Sequence, residues 1–387
     1  MDDKRKALAT GVGARAERKE AGAVTGNGSR QREVAANVRQ MYQYIYGNWF
    51  TMIAYVYAEL DFAQLLREEP RSFAELATLT QTNPRALDRF LRCAGALGFH
   101  TTDPETGKLT LTDLGFLLCA ESPVSLRAAA RLNGASYRYQ PWGHLLEYVK
   151  SGSGQGLSET WEDGSLEYLK DKPELLAVFE QAMTNLGKSA YQNVNEDQVI
   201  AASVDFSRFK RVMDIGSGNG TLLEAILLAH RKLHGALFDL PNVLEQVKPP
   251  AADHPNAGRL EKVPGDFQQE IPAGYDAYLM KNMIHNYPEH KCKTLLKNIR
   301  RAIMHETAEG VDVRDKRLLM CEMVMPSVGE GNLIAKLVDL NMNILVEGTI
   351  GTAQDYEALL NESGFELVSV TDLTGLERKV IEAVALR

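Results

Sequence analysis

The stretch Val212–Leu227, "VMDIGSGNGTLLEAIL", decides how the chain is read. A short apolar run ends in Asp214. Gly216, Gly218 and Gly220 follow at alternate positions, and a helical pattern then begins. A glycine turn at the end of a strand lets a ligand approach the backbone closely. The helix N-terminus behind it offers free N–H groups, which suit a carboxylate as well as a phosphate. Asp-x-Gly-x-Gly-x-Gly departs from the Gly-x-Gly-x-x-Gly of dinucleotide sites. Asp239 closes a second strand-like run, 19 residues after Gly220, where an acid can accept hydrogen bonds from ribose hydroxyls. Asp266 in "PGDF" follows a third run, and Phe267 beside it is placed to cover an adenine face.

One ribose acid and one adenine-edge acid fit an adenosine ligand. S-adenosylmethionine fits better than NAD, because its amino-acid end carries an ammonium that Asp214 would favour. The plainer role for Asp214 is to brace the turn.

Around that stretch, residues 211–216, 235–241, 260–267, 275–282 and 317–325 read as strands, most of them separated by helical segments. The alternation argues for an α/β fold, a parallel sheet with helices on both faces, starting near residues 200–210. Ahead of it, residues 34–66 read as a helix rich in aromatics: Tyr42, Tyr44, Tyr46, Trp49, Phe50, Tyr55 and Tyr57. These suit a core or a dimer contact, and some suit a pocket for a flat, apolar substrate. Ser72 with Glu75 marks a capping box, Pro84 a second helix start and Gly98 its end. A hairpin about residues 103–107 follows, giving a winged-helix pattern. Residues 124–200 read as helical, with a Gly/Ser break at 151–156. Residues 1–33 hold no aromatic residue and read as a disordered tail.

The chain has 387 residues, which suggests two domains. A net charge of −8 opposes general attraction to nucleic acid or anionic lipid, so the winged helix is not expected to bind DNA. Cys93, Cys119, Cys292 and Cys321 lie far apart and form no Cys-x-x-Cys pair, so reduced thiols and a cytoplasmic setting are expected. No apolar run approaches the roughly 20 residues of a membrane helix, and the N-terminus lacks a signal-peptide core.

"VMDIGSGNG", "FDLPNV", "VPGDF", "MKNMIHNYPEHKCKTLLKNI" and "GTAQDYEALLNESGF" occur in the order seen in the plant-type small-molecule O-methyltransferases and their bacterial and fungal relatives. The chain resembles that family over about residues 35–387. The resemblance implies a Rossmann-like class I methyltransferase domain with a mostly parallel seven-stranded sheet over 201–387. It implies a mainly α-helical winged-helix domain over 34–200, serving dimerisation and substrate closure. It further implies S-adenosylmethionine as cofactor, a homodimer, and cofactor contacts at Asp214, Gly216, Gly218, Gly220, Asp239, Leu240, Asp266, Phe267 and Lys281.

The family's catalytic stretch reads roughly Leu-Lys-Trp-x-Leu-His-Asp-Trp. Here it is Met280 to Tyr287, which puts His285 on the general base. Glu322 matches the first flanking acid. The place of the second holds Ile350, and Glu347 lies three residues earlier as a substitute. Asn286 replaces the usual Asp and Asn282 the usual Trp. Trp142, Phe179, Met183, Asn341 and Met342 match positions that line the acceptor pocket; Asp339 reads as structural. The implied activity is methyl transfer to a hydroxyl of a small aromatic or polyketide-like molecule. Nitrogen or carbon acceptors use the same scaffold, and some members keep the cofactor for hydroxylation or ring-forming chemistry. His285 and His290 are not at the i, i+4 spacing that shares a helical face, so no metal is expected.

Overall fold

A computed structural model describes residues 30–152, 168–169, 172–187, 195–305, 312–326, 333–374, 376 and 378–387. Residues 30–45 form helix α1, so the helix begins inside the segment read as a tail. Residues 1–29 of that segment, and 153–156 of the Gly/Ser break, lie outside the described residues. The single helix expected over 34–66 is broken twice, giving α2 (Gly47–Glu59) and α3 (Phe62–Glu68). The second break is at Asp61, whose φ of +57° is left-handed. Its carboxylate accepts from Arg127 Nε at 2.8 Å, a contact from far along the chain.

α4 (Phe73–Leu79) and α5 (Pro84–Ala96) begin as expected. Ser72 and Glu75 form the capping box; Asn83 caps α5, with Pro84 in its first turn. Strand β1 (His100–Thr102) then pairs antiparallel with β2 (Leu109–Leu111). Asp103 Oδ1 accepts the N–H groups of Glu105 and Thr106, which shapes the turn between them. Tyr57, Phe62, Leu66, Leu76, Leu91 and Leu109 form the core of this helical region. α6 (Arg127–Gly134) packs on α2, and α7 (Pro173–Gly187) packs on α6. α8 (Glu196–Ser203) leads into the sheet.

The sheet holds β3 (Arg211–Ile215), β4 (His234–Asp239), β5 (Leu260–Pro264), β6 (Ala277–Lys281), β7 (Arg317–Met323), β8 (Phe365–Asp372) and β9 (Arg378–Ala385). Their spatial order is β5-β4-β3-β6-β7-β9-β8, with β9 antiparallel to both neighbours and the other pairings parallel. Successive residues of a strand face opposite sides. Met213 and Met280 therefore enter one core with Leu295 and Ile299 of α10 (Glu289–His305). Val212 and Leu279 enter the other, with Leu223 and Ile226 of α9 (Thr221–Ala229). α11 (Leu333–Val346) and α12 (Ala353–Glu362) complete the elements used below.

The α/β class, the helical N-terminal region and the mostly parallel seven-stranded sheet agree with expectation. The five strand-like runs became β3 to β7. The chain runs outward from β3 in both directions, so the order reverses between β3 and β6. In open α/β sheets ligands bind at the carboxyl ends of the strands beside such a reversal. Asp214, Asp239, Lys281 and Glu322 all lie at or near those ends.

Candidate active site

Gly216, Gly218 and Gly220 have φ of +65°, +54° and +78°, a region side chains rarely adopt. A Cβ on Gly216 would stand 2.3 Å from Met283 Sδ. On Gly218 it would meet nothing within 4 Å. Packing therefore explains the first glycine, while the second faces room for a ligand. Gly218 N–H donates to Asp239 Oδ2 at 2.9 Å, and Leu240 N–H to Asp239 Oδ1 at 2.8 Å. Burial still pushes the Asp239 carboxyl up, against those two bonds. Asp214 is buried, and loss of water pushes its carboxyl up to about 8 despite the charge of Lys281 nearby. Ser217 Oγ is buried without a hydrogen-bond partner among the described residues. Two poorly solvated acids and an orphaned hydroxyl around an open glycine fit a ligand that brings positive charge and hydroxyl groups.

The chain leaves β6 through Asn282, left-handed at φ +58°, into a single 3-10 turn, Ile284–Asn286. His285 in that turn is buried, and its Nδ1 lies 2.7 Å from Glu322 Oε2. Glu322 has no exposed surface, and its Oε1 accepts the N–H groups of Met283 and Ile284 at 2.7 and 2.9 Å. One carboxyl therefore shapes the loop and orients the imidazole. With Nδ1–H donating to Glu322, Nε2 keeps its lone pair. Cys292 Sγ donates to Ile284 O at 3.2 Å. Burial pushes that thiol up to about 12, so it braces the loop as a neutral group. Arg378 Nε donates to Asn282 Oδ1 at 2.6 Å, and Arg378 also pairs with Glu196 of α8.

The remaining expected residues fall into three groups. Lys281 Nζ is held by Asp197 Oδ1 at 2.5 Å, with Glu196 Oε2 at 3.8 Å. Asp266 Oδ1 accepts the N–H of Gln268, and Phe267 is buried edge-on to Tyr287. Glu347 is exposed directly after α11, at φ +54°, and makes no hydrogen bond to His285 among the described residues. Its neighbour Gly348 does reach the loop: a Cβ there would stand 1.9 Å from the His285 carbonyl oxygen. Ile350 is buried with Met323 and Ala335, and its N–H donates to Asp339 Oδ1 at 2.7 Å, so Asp339 is structural. Trp142 Nε1 donates to Asn341 Oδ1 at 3.0 Å, which brings two of the expected pocket residues together. Met342 is buried with Leu345 and Val346; Phe179 is half-buried and Met183 exposed.

The O-methyltransferase domain model matches residues 142–366, more than half of the chain. A phenazine O-methyltransferase, PhzM, of Lysobacter antibioticus is 33% identical over 328 residues, 85% of this chain and 91% of its own length. This chain belongs to the O-methyltransferase family. The 3-amino-4-hydroxybenzoate 4-O-methyltransferase of Streptomyces cremeus is 30% identical, covering 90% of each chain. The solved structure of the mitomycin 7-O-methyltransferase MmcR superposes with a TM-score of 0.78 at 26% identity, over 91% of this chain and 98% of the other. The chain is a methyltransferase dependent on S-adenosylmethionine.

Several residues around the methyltransferase's site escaped sequence reasoning. Arg378 lies on β9, which no alternation announced. Thr184 Oγ1 accepts from Asn219 Nδ2 at 2.6 Å, joining α7 to the glycine turn. Glu180 lies one helical turn before Thr184; burial and the charge of Asp239 push its carboxyl up. Spacing holds a faint signal here: Glu180 and Thr184 repeat the four-residue step of Phe179 and Met183.

Proposed function

We propose that this methyltransferase methylates a hydroxyl group of a small aromatic or polyketide-like natural product, with His285 as the base. The observation that carries this is the buried Glu322–His285 pair, on a loop whose Met283 packs against Gly216 of the glycine turn. S-adenosylmethionine, when bound, supplies a methyl group on a cationic sulfur, which is already a good leaving group. The chain must then mainly align the acceptor and take its proton. Alignment can supply several kcal/mol, and a positioned base about 10²–10⁴-fold. His285 Nε2 receives the hydroxyl proton, and the cation so formed stays against Glu322.

Asp214 would meet the cofactor's ammonium, beside the backbone of Gly216, Gly218 and Gly220. Asp239, with Leu240, would accept from the ribose hydroxyls. Asp266, Phe267 and Lys281 would border the adenine. Trp142, Phe179, Met183, Asn341 and Met342 would line the acceptor pocket. A flat acceptor is supported by the aromatic substrates in the names of the two relatives and by the aromatic side chains at 142 and 179. Glu347, exposed at the end of α11, takes no part in proton transfer in this scheme.

Residues 201–387 would then hold the cofactor, and residues 34–200 would close over the acceptor and form the dimer. Exposed Tyr42, Tyr44, Ile45 and Trp49 support that second role. The four cysteines are free, which suits a reducing cytoplasm.

The test is incubation of the purified protein with S-adenosylmethionine and a panel of phenolic acceptors, measuring S-adenosylhomocysteine. His285→Ala is expected to lower turnover about 10²–10⁴-fold. Unchanged turnover removes His285 as the base. Cofactor binding with no S-adenosylhomocysteine from any acceptor favours the non-methylating chemistry instead.

A further inference from the structure

Helix α7 carries two adjacent pairs at helical spacing. Phe179 and Met183 belong to the proposed acceptor pocket. Glu180 and Thr184 lie one position further on, about 100° around the helix. Thr184 Oγ1 accepts from Asn219 Nδ2 at 2.6 Å and donates to the Glu180 carbonyl at 2.9 Å. Asn219 sits between Gly218 and Gly220, and Gly218 N–H is bonded to Asp239 at 2.9 Å. A continuous chain of contacts therefore runs from α7 through the glycine turn to Asp239. It sets the Glu180 face of the helix against the turn.

The charge balance there is one-sided. Glu180 and Asp239 are both pushed up by burial, and the charge of Asp239 adds to the shift at Glu180. Asp214 is pushed up in the same way. Lys281, the cation that eases Asp214, is already paired with Asp197. Asp214 precedes the turn, Asp239 is bonded to it, Glu180 shares a helical face with the Thr184 that is bonded to it, and Lys281 is committed to Asp197.

We infer that Glu180 is a specificity-determining residue of the cofactor site, favouring the cationic S-adenosylmethionine over its demethylated product S-adenosylhomocysteine. This rests on the cofactor site proposed above. The two molecules share adenosine, ammonium and carboxylate; they differ in the methyl group and the charge on sulfur. An acid against the ribose side of the turn, beside Asp239, attracts the sulfonium and loses that attraction once the sulfur is neutral. Product then leaves more readily than substrate.

Titration calorimetry with each nucleoside on the full chain tests this. Glu180→Gln is expected to weaken S-adenosylmethionine about ten-fold, the scale of one partly screened charge pair, and S-adenosylhomocysteine by less than about two-fold. Glu180→Asp keeps the charge and is expected to retain most of the preference. Thr184→Val, which frees α7 from the turn but keeps the acid, is expected to weaken both ligands together. If Glu180→Gln fails to fold, Glu180→Ala gives the same reading. A parallel loss of both ligands in the neutral variants, or no loss, overturns the assignment. A wild-type chain that binds neither nucleoside overturns the cofactor site itself.

Discussion

Asp214 is an acid at the end of an apolar strand, and its environment resists its ionisation. In the unfolded chain its carboxyl ionises near about 3.9; in the fold it does so at about 8. Between those values the native state holds a proton that the unfolded state has released. The contribution of this group to stability is therefore complete below about pH 4 and is lost as pH rises through 8. Asp214→Asn fixes the neutral form. The ligand-free variant should melt at a higher temperature than wild type at pH 8.5, yet bind S-adenosylmethionine more weakly. Calorimetry at that pH checks both, and unchanged affinity removes Asp214 from the site. Glu322 gives a different kind of prediction, because it holds the loop and the imidazole together. Glu322→Gln should lower turnover by up to about 10⁴-fold, as the Asp→Asn change behind a general-base histidine does. Adding it to His285→Ala should lower turnover little further, since the two act as one unit. Kinetics of the single and double variants measure this; fully additive losses would separate the pair.

At the scale of elements, the loop that carries His285 is held from two sides. Met283 rests on Gly216, and the backbone at Gly348 rests on the His285 carbonyl. Gly348→Ala puts a methyl group where only 1.9 Å is free, so the loop must shift. Turnover should fall about ten-fold or more, because misplacement by a fraction of an ångström is felt in alignment. Cofactor affinity, which the proposed site assigns to the β3 turn, should stay within about two-fold by titration. Which elements could be foreseen follows from how local their causes are. β3 to β7 are apolar runs bounded by turns, and the sequence pattern located them to within a few residues. β8 has one face half-exposed and reads "FELVSVTD", with too little contrast to stand out alone. The break after α2 was missed because Arg127, which holds Asp61, comes from a distant helix. Ile350 in place of an acid was visible in the sequence. That it fills an apolar cluster with Met323 and Ala335 was visible only in the fold.

At the scale of the whole molecule, side-chain hydrogen bonds join the helical region to the sheet domain. Besides Lys281–Asp197 and Arg378–Glu196, those among the described residues include Trp142–Asn341, Tyr148–Asn343 and Thr184–Asn219. Each spans a long stretch of chain, so no sequence window showed them, and the proposed acceptor-pocket residues could be named only through family resemblance. The helical region also bears exposed apolar side chains, with Tyr44 at 67% and Trp49 and Ile45 at 59%. If these form the dimer contact, Trp49→Glu with Tyr44→Glu should turn a dimer into a monomer at micromolar concentration. Light scattering of wild type and variant decides it; a wild-type monomer would leave these side chains to another partner.

The position of β9 between β7 and β8 bears on the order in which the molecule can assemble. Glu322 on β7 stands opposite Lys379 on β9, so the strand that holds the buried acid gains its second flank from a segment much later in the chain. Pairings of such long sequence separation form slowly, because the loop between them must close first. During refolding from denaturant, helical signal should therefore return well before methyl transfer does, and the competent imidazole should be among the last features to mature.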